Sequence, residues 1–332
     1  MKALVTGGGG FLGSAIVRAL LARKDTVRTF QRGDYPVLNE HGVEVCRGDL
    51  LDKTAIMKAV AGCDTVFHVA AKAGVWGDFD DYYRSNYIGT CNIITACRRN
   101  SITRLIHTST PSVVFNGKDE ENIDESVPYP ARFFNAYQET KALAERCVLE
   151  ANSPELATIA LRPHLIWGPG DPHLVPRVIH RARAGRLRMV GTRNNLVDST
   201  YIDNAVLAHI LAADHLRVDA PCAGKVYFIS NGEPLPMAVL LNRILAAAHL
   251  PPVTKTISPG VAWVAGTVLE YGYKLLRIRE EPLMTRFVAR QLASAHWFDL
   301  GAAKRDLGYQ SAVTIEEGMQ RLERSLMGSH TK

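Results

Sequence analysis

Tyr137 and Lys141 close the run Tyr137-Gln138-Glu139-Thr140-Lys141, and residues four apart share one face of a helix. A phenol titrates at about pH 10 and is a poor acid or base at neutral pH. An ammonium one turn away would stabilise the phenolate and bring its proton into play. On an isolated amphipathic helix the pair would be ordinary; beside a bound substrate it would be a proton-transfer device. Upstream, Thr108-Ser109-Thr110 ends an apolar run and offers hydroxyls that can hydrogen-bond to a substrate oxygen.

These groups need elements to hold them. Residues 2–6 form a short apolar run, followed at once by Gly7-Gly8-Gly9-Gly10-Phe11-Leu12-Gly13. Leu12, Ala15, Ile16, Ala19 and Leu20 then recur at helical spacing, so the order is strand, tight turn, helix. Gly7, Gly10 and Gly13 give G-x-x-G-x-x-G, which permits the turn, close approach to a pyrophosphate, and close helix packing. A second strand at 25–30 ends in Phe30-Gln31-Arg32. An NAD site usually has a carboxylate there for the adenosine ribose. Gln31 replaces it and Arg32 adds a cation suited to a 2′-phosphate, so NADP(H) is expected over NAD(H). In the alternative, Arg32 points to solvent and Asp34 serves the ribose.

Strands at 43–46, 65–70, 105–108 and 158–161 alternate with helices at 53–60, 82–98 and 137–151. That alternation predicts an α/β, Rossmann-type doubly wound parallel sheet. The loop 109–136 carries Pro111, Gly117, Pro128 and Pro130, and a loop of that length usually serves a site. Beyond Pro163 the pattern turns irregular, as in Gly168-Pro169-Gly170-Asp171-Pro172. The expected division is a cofactor domain at 1–165, with returning segments near 197–213 and 225–231, and a smaller C-terminal α+β substrate domain at 166–330.

The chain has 332 residues, 47% of them hydrophobic, enough for a large core. Its six cysteines form no C-x-x-C pair and no metal-spaced cluster with histidine, so no metal is expected and the thiols read as reduced groups of a cytoplasmic protein. The first residues show no charged-then-apolar leader, and no secretory signal is expected. The net charge of +6 is spread along the chain and favours an anionic small molecule over nucleic acid. Residues 257–276 are apolar but broken by Pro259, Gly260, Gly266, Glu270 and Gly272, so a membrane span is not expected. Three readings stay open for this segment: a lid over a hydrocarbon pocket, ordinary core, or a membrane or partner surface backed by Lys274, Arg277 and Arg279.

Together the glycine loop, Thr108-Ser109-Thr110 and Tyr137 with Lys141 resemble the extended short-chain dehydrogenase/reductase family. The likeness runs from Thr6-Gly7 to Asp306-Leu307-Gly308-Tyr309. It implies that Tyr137 is the general acid/base, that Lys141 lowers its pKa and holds the nicotinamide ribose, and that Thr110 or the adjacent Ser109 donates to the substrate oxygen. It also implies cofactor contacts from Gly7, Gly10, Phe11, Leu12, Gly13, Asp49 at the adenine, Leu50, Ala70, Ala71, Lys72, Thr108 and Pro163, joining Gln31 and Arg32. A homodimer through the helices carrying Asn86 and Tyr137 is a further expectation.

Residues 161–172, with Asn195-Leu196-Val197-Asp198, resemble the 3β-hydroxysteroid and sterol-4-carboxylate dehydrogenase branch. Ala71-Lys72-Ala73-Gly74-Val75-Trp76-Gly77 and Thr108-Ser109-Thr110-Pro111-Ser112-Val113 are similar to the bacterial 2-alkyl-3-oxoalkanoate reductases of olefin biosynthesis. That likeness implies NADPH-dependent reduction of a long-chain β-keto acid, with assembly with other hydrocarbon-forming enzymes as a further expectation. A 3β-hydroxysteroid dehydrogenase, a sugar-nucleotide epimerase or dehydratase, and a dinucleotide sensor are the alternatives; the sensor has no use for the Tyr137–Lys141 pair. Substrate candidates are Lys72, as a carboxylate-binding cation or a solvated side chain, Trp76 beside it, and His164, as a contact or a structural histidine.

Overall fold

The computed structural model describes residues 1–36, 38, 42–191 and 194–329. The first unit is β1 (Lys2–Thr6), α1 (Phe11–Ala22) and β2 (Thr26–Gln31), followed by β3 (Glu44–Arg47), α2 (Lys53–Val60) and β4 (Thr65–His68). Next, α3 (Phe79–Tyr82) runs through a π-helical stretch, Tyr83–Ile88, into α4 (Gly89–Arg99). Then come β5 (Arg104–Thr108), β6 (Glu120–Ile123), α5 (Ala136–Glu150) and β7 (Ala157–Pro163).

After Pro163 lie β8 (Ile166–Trp167), α6 (Leu174–Arg183), β9 (Met189–Val190), β10 (Leu196–Val197), β11 (Thr200–Tyr201), α7 (Ile202–His215) and β12 (Lys225–Ile229). The remainder is β13 (Leu235–Pro236), α8 (Met237–Ala247), β14 (Thr256–Ile257), α9 (Pro259–Leu275), α10 (Arg286–Ala293), β15 (His296–Phe298), α11 (Gly301–Leu307) and α12 (Ile315–Ser329).

Seven strands form one parallel sheet in the order β12-β7-β5-β4-β1-β2-β3. The chain winds outward in both directions from β1 and β4, and the crevice at the carboxyl ends of such a pair is where ligands bind. The sheet strands are buried on both faces, as parallel strands require: Leu4, Val5, Phe67, Ile106, Ile159 and Leu161 have no exposed area. Each such side chain contributes about 1.5–3 kcal/mol by leaving water. A smaller sheet, β13-β10-β15-β6, joins β6 of the first half to three strands from beyond Pro163, and two two-stranded pairs accompany it.

Two boundaries differ from the sequence expectation for identifiable reasons. The strand expected over 65–70 stops at His68, because the backbone N–H groups of Val69 and Ala70 donate to Thr6 Oγ1 instead of to a neighbouring strand. The helix expected over 82–98 starts earlier and widens at Tyr83–Ile88, a distortion that often marks functional sites. There Asn86 is buried; its amide nitrogen donates to Lys72 O and Thr140 Oγ1, and its oxygen accepts from Lys72 N–H. The seventh strand of the sheet, β12, comes from beyond Pro163, within the segment 225–231.

All six cysteines are free. Cys63, Cys97 and Cys222 are buried, whereas Cys46, Cys91 and Cys147 are only partly so.

Candidate active site

A cleft of about 640 Å³ opens over the carboxyl ends of β1, β4 and β5. At one end lies the glycine loop. Gly13 has no room for a side chain, since a Cβ there would meet Gly7 O at 2.1 Å. Gly10 is the N-cap of α1 in extended conformation, and no side chain caps the helix. The free N–H groups of that first turn therefore face the cleft, a ready anion site reinforced by the helix dipole. Gln31, buried at the end of β2, lines the cleft with neither amide atom hydrogen-bonded within the protein. A ribose hydroxyl would satisfy it. The Arg32 guanidinium is exposed, 3.8 Å from Asp49. This end fits a dinucleotide: a cradle only glycine permits, an uncapped helix, and an unsatisfied amide beside an exposed cation.

The other end of the cleft is carried by β5 and α5. Asn135 caps α5 by accepting from Gln138 N–H, which presents Tyr137 and Lys141 from the first turns. Glu145 then anchors the helix: it receives two hydrogen bonds from Arg162 of β7, at 2.9 and 2.6 Å, and one from Tyr129 at 2.6 Å. Arg162 and Glu145 are both buried, and removing one partner of such a pair costs about 3–5 kcal/mol. The helix bearing the dyad is thus fixed to the sheet.

Lys141 Nζ donates to Thr108 O at 2.6 Å and lies 3.3 Å from His107 Nε2. Burial pushes its pKa down to about 8, against the pull of Glu145. The Tyr137 phenol is raised by burial and lowered by the Thr110 hydroxyl. The Lys141 ammonium turns inward to the β5 carbonyl, and the group that lowers the phenol is the Thr110 hydroxyl. The two candidate hydroxyls separate: Thr110 acts on Tyr137, while Ser109 Oγ is buried with no close partner and faces Glu145.

Residue reasoning missed the histidines beneath this floor. His68 and His107 are register partners in β4 and β5, with ring centroids 5.3 Å apart. His68 bridges Thr6 and Thr90, both at 2.9 Å. Burial, joined by the charge of Lys141, lowers His68 to about 3 and His107 well below the usual histidine range, so both are neutral. His209 Nδ1 donates to Ala205 O, leaving Nε2 to accept from the Thr108 hydroxyl at 2.8 Å. The available signal was a polar ring at the same depth in two apolar strands.

A model of the 3-beta hydroxysteroid dehydrogenase/isomerase family matches residues 4–252. The chain belongs to that family. It is 53% identical to a 2-alkyl-3-oxoalkanoate reductase of Shewanella oneidensis over 98% of this chain and 86% of that one. It is 38% identical to a sterol-4-alpha-carboxylate 3-dehydrogenase, decarboxylating, of Mus musculus, over 98% and 90% of the two chains. The crystal structure of UDP-glucuronic acid 4-epimerase from Bacillus cereus in complex with NAD superposes with a TM-score of 0.77 at 21% identity, covering 99% of this chain and all of that one. That likeness shows the extended short-chain dehydrogenase/reductase fold. The family and its relatives make this an NAD(P)-dependent oxidoreductase.

The cleft of this family member is lined by Gly7, Gly10, Phe11, Leu12, Gly13, Gln31, Arg32, Asp49, Leu50, Ala70, Ala71, Lys72, Thr108, Ser109, Thr110, Tyr137, Lys141 and Pro163. Sequence reasoning did not find Tyr35, whose ring lies against Gly9 and Gly33, nor His173 and Leu174. The latter two are turned in by Asp171, which accepts from the N–H groups of residues 173, 174 and 175.

The substrate candidates do not converge. Lys72 lines the cleft, but its Nζ is 2.8 Å from Asp81 and sits over the Tyr82 ring. Trp76 lies outside the cleft lining, donating to Ile278 O at 3.2 Å and meeting Tyr273 edge-on. His164 does not line the cleft: it is buried, donates from Nδ1 to Asp198 O, and packs on Phe298 and His296. Its burial follows from the β7 chain carrying it under β11. Among the described residues no group of histidine, cysteine and carboxylate side chains is placed to hold a metal, and no helix is long and apolar enough to cross a membrane.

Proposed function

We propose that the protein is an NADPH-dependent reductase that converts a long-chain 2-alkyl-3-oxo acid to the 2-alkyl-3-hydroxy acid in hydrocarbon (olefin) biosynthesis. The observation that carries the reading is the set Thr110, Tyr137 and Lys141 at one end of a cleft whose other end is the glycine cradle with Gln31 and Arg32. A relative 53% identical over 98% of this chain, named 2-alkyl-3-oxoalkanoate reductase, supports the substrate class.

When bound, the nicotinamide supplies a hydride to the carbonyl carbon. As charge builds on the substrate oxygen, the Tyr137 and Thr110 hydroxyls stabilise it by hydrogen bonds and Tyr137 gives its proton. The neutral Tyr137 favoured by burial is the form this direction needs. The Lys141 ammonium, one helical turn along α5, would turn from the β5 carbonyl to the phenolate that remains and stabilise it until solvent returns the proton. Gln31 brings no negative charge to repel a 2′-phosphate, and Arg32 can pair with one.

In this reading residues 1–165 bind the cofactor, with returning segments near 197–213 and 225–231, and 166–330 mainly shape the substrate site. The enzyme works in the cytoplasm as a homodimer through the helices that carry Asn86 and Tyr137.

The test follows NADPH oxidation with a racemic 2-alkyl-3-oxo acid, a 4-carboxysterol ketone and a UDP-4-ketosugar, using purified full-length protein. Turnover with the first at least about a hundredfold above the others, equivalent to a ~2.7 kcal/mol preference, is expected. Faster turnover of the sterol would move the assignment to the branch of the murine relative, and turnover confined to the sugar nucleotide would discard it.

A further inference from the structure

The helix α9 wears its amphipathicity inside out. Its outward side chains Val261, Val264, Val268, Tyr271 and Leu275 are 59%, 60%, 65%, 65% and 84% exposed, spaced so that they form one continuous stripe. Leu276, 70% exposed, extends it. The inward side instead carries Gly266, where a Cβ would meet the Thr285 backbone at 2.7 Å, and Glu270, which accepts from Arg286 N–H and pairs with its guanidinium at 2.7 Å. The single carboxylate between 259 and 279 is therefore turned inward and neutralised. Lys274 and Arg277 flank the stripe's end exposed, and Arg290 of α10 lies over the Trp263 ring. Arg279 leans toward Asp81.

The stripe also has a fixed place relative to the cleft. Just past α9, Ile278 O accepts from the Trp76 indole, and Tyr273 packs on the same ring. Trp76 belongs to the loop that leaves β4 through Lys72 and Ala73, both in the cleft wall. A surface touching α9 would thus lie next to that wall.

We propose that the outward face of α9 docks on an anionic lipid surface, with Lys274, Arg277 and Arg290 toward the head groups and the valine-leucine stripe in the acyl boundary. Apolar residues beside exposed cations suit such a surface. A second copy is the weaker occupant. The positions flanking the stripe are Ala265, Thr267, Gly272 and Lys274, which offer no opposite charges to pair across a helix seam. Docking needs neither cofactor nor substrate, so it stands apart from the proposed reaction; given that reaction, it would put the cleft beside the phase where a long-chain acid partitions.

The experiment is co-sedimentation of the full chain, without ligands, with phosphatidylcholine vesicles and with vesicles containing phosphatidylglycerol. Binding to the second kind, weakened by salt and at least about tenfold stronger than to the first, is expected. Val264→Glu with Val268→Glu, and separately Lys274→Glu with Arg277→Glu, should each reduce bound protein about tenfold while NADPH binding and melting temperature stay at wild-type values. Should the valine pair fail to fold, the charge pair carries the test. Wild-type binding by the folded variants overturns the proposal, as does absence of sedimentation with either vesicle. A wild-type oligomer that the valine variant splits in sedimentation velocity, without vesicle binding, would assign the face to a second copy instead.

Discussion

At the scale of single residues, the site turns on which hydroxyl meets which group. Thr110 and Ser109 are neighbours, and in extended chain neighbours point to opposite sides; spacing alone left both open as the donor. The Thr110 hydroxyl lowers the Tyr137 phenol, whereas the buried Ser109 hydroxyl faces Glu145 without a close hydrogen bond. Tyr137→Phe is accordingly expected to lower kcat by about 10²–10⁴ with NADPH affinity retained in a fluorescence titration. Thr110→Val should lose activity in the same direction, and Ser109→Ala should act mainly on thermal stability. Near-normal turnover of Thr110→Val beside a crippled Ser109→Ala would reverse the roles.

Lys141 offers a second check through its charge. Burial sets its folded pKa at about 8, against 10.5 as the ordinary value. Between those values the unfolded chain holds the proton more tightly, so stability from this group rises with pH there, by at most about 1.4 kcal/mol per pH unit. Below pH 8 the full cost of the buried ammonium remains. Urea unfolding of wild type and Lys141→Met at pH 7 and pH 10 should show the wild type gaining on the variant at the higher pH. A constant difference would mean that Lys141 is not titrating in that range.

At the scale of elements, strands and helices of the first half were legible because a parallel sheet imposes buried apolar strands and helices with one apolar face. α2 falls at 53–60 as read from the chain. What was not legible depends on contacts distant in sequence. The π-helical widening that lets Asn86 grip the backbone of Lys72 has no marker of its own, and the Lys72 ammonium could not be matched in advance to Asp81. Nor does periodicity tell which side of α9 faces in, because its apolar stripe is on the outside. The end of β2 gives the prediction for this scale. Arg32 is exposed and only loosely paired, so Arg32→Ala removes little from the fold. It should raise KM for NADPH by about tenfold, the effect of losing one phosphate contact of ~1.4 kcal/mol, while leaving KM for NADH nearly unchanged. Equal shifts for both would mean that Arg32 meets no 2′-phosphate.

At the scale of the whole molecule, the site is completed by chain that comes back from beyond Pro163. β12 covers the edge of β7 over five residue pairs. α7 packs beside α1, joined by Arg23 to Asp214, and receives Arg104 at Ala213 O. It also delivers His209 to Thr108, the residue whose carbonyl holds Lys141. A fragment ending at residue 165 would keep the glycine loop and the Tyr137–Lys141 pair, yet lose the sheet edge and the support under β5. An unpaired, apolar parallel strand invites association, and the side chains of α1 that α7 covers would be left in water. The fragment 1–165 is therefore expected to aggregate or to unfold without a cooperative transition, whereas the full chain unfolds cooperatively. Circular dichroism melts with NADPH titrations decide the matter. Native-like affinity in a soluble 1–165 would show that cofactor binding needs only the first part of the chain. Loss of both signals would show that the returning segments belong to the cofactor unit, which makes the catalytic floor a product of distant sequence closing on the sheet.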